Sequence, residues 1–130
     1  MNRLRVTHIG GPTLLIEVGP WRLLTDPTFD PPGRRYAFAL GSSSRKLAGP
    51  SIAPDALGRI DAVLLSHDQH ADNLDDSGRR LLPGVGAIIT TVAGAARLRD
   101  LGSARGLAPW QTTRLEREGF PAIDVTATPC

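Results

Sequence analysis

The sequence predicts an α/β fold in which a mixed sheet carries helices on one face. Three observations point there. The first 25 residues read as three consecutive strands. Two buried-looking apolar runs, Ala62–Leu65 and Ala87–Thr91, are each followed by a helical stretch. The last third returns to β-type residues. Meander strands followed by strand–helix units make a mixed sheet with segregated helices.

Each element has its own signal. Leu4–Ile9 alternates apolar and polar residues, and Gly10-Gly11-Pro12 breaks it. Thr13–Val18 is rich in β-formers, Gly19-Pro20 turns the chain, and Trp21–Thr25 runs back as a hairpin partner. Residues 26–58 form the least regular stretch, with Pro31-Pro32-Gly33, Ser42-Ser43-Ser44 and Gly49-Pro50. A loop of this length in a small domain is functional or mobile. Its Phe29, Tyr36 and Phe38 are expected to pack on something, either as a flap over a substrate or as a surface insertion.

Ala62–Leu65 is unbroken and apolar, as in a strand buried on both faces. Leu74–Leu82 reads as a short helix stopped by Pro83-Gly84, and Ala87–Thr91 as a second buried strand. Val92–Leu101 reads as a helix with Ala95, Leu98 and Leu101 three apart, closed by Gly102. Thr112–Leu115 and Ala122–Ala127 complete the β content.

Composition narrows the function classes. The 130 residues make one small domain, and 41% apolar residues can fill a core. Every basic residue but Lys46 is Arg, the net charge is +2, and no run of like charges occurs. A nucleic-acid partner is therefore not expected. The single cysteine, Cys130, allows no internal disulfide. With no signal-peptide-like start and no membrane-length apolar run, a soluble cytoplasmic protein is expected.

The chemistry concentrates in SHDQHADNLD, residues 66–75, directly after a buried strand. Ligand sites in α/β sheets favour that position. Imidazole and carboxylate are good ligands for Zn²⁺, Mn²⁺ and Fe²⁺. Crowding His67, Asp68, His70 and Asp72 into one loop costs like-charge repulsion, which a dication would offset. In an extended segment Asp68, His70 and Asp72 project to one side. The alternative is that the acids only serve the next helix, with Asp72 or Asn73 as N-cap and Asp75 and Asp76 in its first turn. His8 stands alone and reads as strand filler.

Three stretches carry a resemblance: LLTDPTFDPP at 23–32, IDAVLLSHDQHADNLD at 60–75, and TVAGAARLRDLG at 91–102. Together with the opening hairpin THIGGPTLLIEVGPWRLLTDP they resemble the metallo-β-lactamase superfamily. The nearest branch is the UlaG-like metal-dependent hydrolases, which include ascorbate-6-phosphate lactonase. The resemblance implies an αββα sandwich. Its activity is a metal-bound hydroxide attacking a lactone, ester, amide or phosphodiester in a small-molecule substrate, with one or two divalent ions, zinc or manganese.

Members of the family show H-x-H-x-D-H after the buried strand. Matched from the right, His70 takes the second His place, Asp72 the Asp place, Asn73 the last His and Asp68 the first. Matched from the left, His67 is the first His, one residue is inserted, and Gln69 falls at the second. The implied metal ligands are thus His67 or Asp68, with His70 and Asp72. Asp72 is also the candidate catalytic residue that orients the attacking water. Asp26, in LLTDP, and Asn73 are carried over as residues that support the loop without holding metal. Family chains go on past a strand like IDVTATP to further ligands. This chain is therefore expected to be one partial domain, 1–130, the N-terminal half of the sandwich. Such a half exposes an apolar face, and self-association through it is expected. Two rival readings are a non-catalytic remnant of the fold and a nuclease, the latter disfavoured by the charge balance.

Overall fold

The structure, a computed structural model, describes residues 3–37 and 43–129. Phe38 and Cys130 lie outside the described residues. Among the described residues there are ten strands and two short α-helices. β1 (Leu4–Gly10), β2 (Thr13–Val18) and β3 (Trp21–Thr25) make an antiparallel meander. β4 (Arg35–Ala37) and β5 (Ser43–Arg45) form a separate antiparallel ribbon. β6 (Ala62–Leu64), β7 (Ala87–Thr91) and β8 (Ala104–Leu107) extend the main sheet in parallel from β3. The sheet order is β1-β2-β3-β6-β7-β8. β9 (Thr112–Leu115) and β10 (Ile123–Thr126) form a second ribbon. α1 spans Asp76–Leu81 and α2 spans Val92–Arg97.

The expected mixed sheet is present, with its helices on one face. Leu24, Val63 and Ile88, from adjacent strands, pack there with Leu74 just before α1, Leu82 after it and Leu98 at the end of α2. The other face carries Trp21, Leu23, Ala62 and Ile89, covered by Leu115 of β9 and partly by Ile123 and Val125 of β10. The Trp21 indole fastens this ribbon by donating to the Pro121 carbonyl at 2.6 Å and meeting Phe120 edge-on. At the β1 edge the cover stops. Leu4 and Val6 pair with Val18 and Ile16, so they share this face, yet they are 67% and 54% exposed. No helix among the described residues is long and apolar enough to cross a membrane.

Three local features differ from the sequence expectation. α1 begins later than Leu74, because Asp75, not Asp72 or Asn73, is its N-cap and accepts from Gly78 N at 2.8 Å. α2 ends at Arg97 and tightens into a 3-10 turn, Arg99–Leu101, closed by left-handed Gly102. The stretch 26–58 is less irregular than its composition implies. It contains the β4–β5 ribbon and a short 3-10 turn, Pro54–Ala56. Phe29 sits in the core, and Asp30 is buried against Ser77 and Tyr36.

The base of that stretch is sewn to α1. The Asp75 carboxylate accepts from Phe29 N at 3.0 Å and Asp30 N at 2.7 Å as well as from Gly78. Asp30 answers by accepting from Ser77 N and Ser77 Oγ. Burial pushes the Asp30 carboxyl up, but hydrogen bonds from Ser77 and Tyr36 and the Arg34 charge outweigh it and hold it below its ordinary range. Gly78 lets the helix come this close: a Cβ there would lie 1.9 Å from the Pro27 carbonyl oxygen.

Candidate metal centre

Strands β3, β6 and β7 run parallel, so their C-terminal ends bring Asp26, Ser66 and Thr91 to one edge of the sheet. Asp26 is the fixed point. It is buried, and its backbone takes the left-handed value φ +27°. Such a conformation costs a non-glycine residue about 1–3 kcal/mol and persists only when its surroundings over-determine it. Here every polar group of Asp26 is used. Its N–H donates to Leu64 O at 3.1 Å, and its carbonyl accepts from the buried Thr13 hydroxyl at 2.7 Å. Its carboxylate accepts from Ser66 N at 2.7 Å, Ser66 Oγ at 2.8 Å and Asn73 Nδ2 at 2.9 Å. Asp26 and Asn73 thus clasp both ends of the histidine loop.

Between those ends the loop presents its rings. His67 Nε2 and His70 Nδ1 lie 3.2 Å apart, with the rings edge to face and their centroids 5.0 Å apart. Ser66 Oγ lies 3.2 Å from His67 Nδ1. Two nitrogens bound to one tetrahedral zinc at about 2.0–2.1 Å would be separated by roughly 3.3 Å. The two nitrogens are within hydrogen-bond distance, and their spacing is also that of two donors on a single ion. Asp72 is exposed, has no partner among the described residues, and faces a cavity beside the loop.

Asp68 is placed differently. It is 3% exposed and turned to the opposite side, where Arg97 of α2 grips it: Nε donates to Oδ2 at 2.8 Å and Nη2 to Oδ1 at 2.6 Å. Arg79 of α1 donates to the Asp68 carbonyl at 2.7 Å. The Arg97 hydrogen bonds, opposing the effect of burial, hold the Asp68 carboxyl below its usual range. The structure thus brings His67 and His70 together, leaves Asp72 exposed with no partner among the described residues, and uses Asp68 as the loop's anchor to α2. Among the described residues no three His, Cys, Asp or Glu side chains gather into a group able to hold a metal ion.

Sequence reasoning passed over Ser66, Arg79 and Arg97. Ser66 stood inside the quoted decapeptide, and its proximity to Asp26 comes only from the parallel pairing of β3 with β6. Arg97 had one usable signal, the need of a buried carboxylate for a cation.

Two hollows flank the loop. One, of about 550 Å³, lies above the strand ends between Asp26, Ser66, Thr91 and Leu107 on one side and Pro109 and Ala127 on the other. The second, of about 320 Å³, lies between the β1–β2 turn and residues 45–50, and reaches Ala71 and Asp72.

The fold is similar to that of solved structures. A possible metal-dependent hydrolase from Veillonella parvula superposes with a TM-score of 0.66 at 20% identity, over 92% of this chain and 46% of that one. An isothiocyanate hydrolase from Delia radicum gut bacteria gives 0.60 at 25% identity, over 87% and 44%. The chain has the metallo-β-lactamase fold. The six-strand mixed sheet with few helices matches these metallo-β-lactamase-like neighbours, and the shared part spans under half of each of them. An uncharacterized protein of Mycobacterium tuberculosis is 36% identical over 74 residues, 57% of this chain. The matched stretch spans 19% of that relative's length. No protein-family model matches the chain.

Proposed function

We propose that this chain carries the metal-binding half of a metal-dependent hydrolase. His67, His70 and Asp72 would hold a divalent cation, zinc or manganese. The observation that carries this reading is the 3.2 Å approach of His67 Nε2 to His70 Nδ1 at the C-terminal edge of the parallel strands. The names of the fold neighbours, a metal-dependent hydrolase and an isothiocyanate hydrolase, support it. The opening hairpin and LLTDP favour the UlaG-like branch.

A cation at this site would act as a Lewis acid and lower the pKa of water it binds. The chain's own residues do the rest. His67 and His70 would supply imidazole nitrogens, and Asp26 and Asn73 fix the loop so that the rings keep their spacing. Asp72, exposed and unpaired, is free to orient the attacking water and accept its proton. A small lactone, ester, amide or phosphodiester would lie in one of the flanking hollows.

The test is turnover. The full chain is loaded with Zn²⁺ or Mn²⁺ and offered aryl esters, lactones and bis-aryl phosphodiesters. Hydrolysis that disappears in His70→Ala supports the reading, and hydrolysis unchanged in that variant overturns it.

One observation favours a second reading, a non-catalytic form of the fold. Asn73 occupies the place of the last family histidine and is spent as a donor to Asp26 and Ser66, while Asp68 is spent on Arg97. His70-dependent turnover would sink this second reading.

A further inference from the structure

Four cations crowd the β4–β5 ribbon and its flanks, and among the described residues only two of them are neutralised. Arg34 pairs with Asp30 and Asp76, and Lys46 reaches Asp75 at 3.4 Å. Arg35 and Arg45 are direct cross-strand partners, and neither has a partner among the described residues. Like charges placed opposite each other on an antiparallel pair repel, so the ribbon gives up stability to hold them there. An anion bound beside them would recover it.

The position of Arg45 says where that anion would come from. Arg45 lines the hollow of about 320 Å³ that Ala71 and Asp72 of the histidine loop also line. Elsewhere the wall is largely apolar, with Pro12, Leu47 and Pro50. Among the described residues Asp72 is the only carboxylate on the wall. An anionic group would therefore settle at the Arg45 end, and the remainder of the molecule would extend towards the loop.

We propose that the β4–β5 ribbon is a subsite for an anionic substituent, a carboxylate or a phosphate monoester, on a small apolar molecule, with Arg45 as the contact and Arg35 beside it. That the molecule is a substrate rests on the hydrolase reading; that the site takes an anion does not. A guanidinium makes paired, charge-assisted hydrogen bonds to either oxyanion.

The test uses the full chain, metal-free, and NMR titration with 1-naphthyl phosphate, 1-naphthoate and neutral 1-naphthol. At least one anion is expected to bind, with shifts at residues 33–36 and 45–47, and naphthol about tenfold more weakly. Arg45→Gln is expected to weaken the anion about tenfold, and Arg45→Lys to keep most of the binding. Arg99→Gln, an exposed cation elsewhere, should change nothing. Because repulsion is relieved, Arg35→Gln and Arg45→Gln should melt no lower than the parent chain. No anion binding, equal binding of naphthol, or an equal loss in Arg99→Gln overturns the proposal. Anion binding without turnover leaves the subsite standing and counts against the hydrolase reading.

Discussion

Asn73 donates a 2.9 Å hydrogen bond to Asp26, a residue 47 positions earlier, and so ties the end of the histidine loop to the end of β3. The amide nitrogen does this work, not the amide oxygen. Asn73→Ala is expected to lose about 1–2 kcal/mol in urea unfolding. Asn73→Asp should be worse, since it sets one carboxylate against another, and it should not tighten metal binding. Were Asn73 a ligand through oxygen, the Asp variant would bind metal better, which isothermal titration with Zn²⁺ reads directly.

The Asp68–Arg97 pair gives a pH signature. The folded Asp68 pKa is depressed, so the stability it contributes is present above the unfolded carboxylate pKa, near 3.9, and lost as pH falls below it. Arg97→Met leaves the buried carboxylate uncompensated. The variant is expected to have a lower urea midpoint at pH 7 than the parent, by less than the loss of a fully buried pair would cause because the Arg97 side chain is 43% exposed. The variant should also lose part of the parent's destabilisation between pH 5 and 3, as measured by urea midpoints across that range.

Gly78 sits where α1 crosses Pro27. Gly78→Ala places a methyl 1.9 Å from a backbone oxygen, so helix and loop must part. The expected cost is at least 1–3 kcal/mol despite alanine's better helix propensity. A melting temperature equal to or above the parent's would contradict this packing.

Leu4 and Val6 leave apolar surface open at the β1 edge, on the face opposite the helices. Concentration-dependent self-association is expected in sedimentation velocity, weakened by Leu4→Glu with Val6→Glu. A parent chain that stays monomeric at high concentration counts against this expectation.

The main sheet was legible where burial leaves a pattern. Alternation marks β1, the Gly19-Pro20 turn marks the β2–β3 hairpin, and unbroken apolar runs mark β6 and β7. β8 escaped because its sequence, ARGL, is small and polar. The reason is packing, since a Cβ on Gly106 would come within 2.8 Å of Val92 Cα in α2. β4 and β5 escaped because no apolar period marks them, and their place depends on the distant Asp30 and Asp75 network. At the site, composition identified the loop but not the roles within it. Asp68 and Asp72 are chemically alike, and only the fold, which brings in Arg97 from 29 residues away, separates an anchor from a free carboxylate. The N-cap was ambiguous for the same reason, because Asp72, Asn73 and Asp75 are all good caps and Asp75 wins through its bonds to Phe29 and Asp30.

Metal content is the most direct measurement of the central claim, that His67, His70 and Asp72 form a divalent-cation site. The full chain, purified without a histidine tag, is offered Zn²⁺ and Mn²⁺, freed of excess, and compared with a His70→Ala, Asp72→Ala double variant by elemental analysis. About one equivalent of metal is expected in the parent, lost in the variant while the fold is retained. No bound metal in the parent, or the same amount in both, would contradict it.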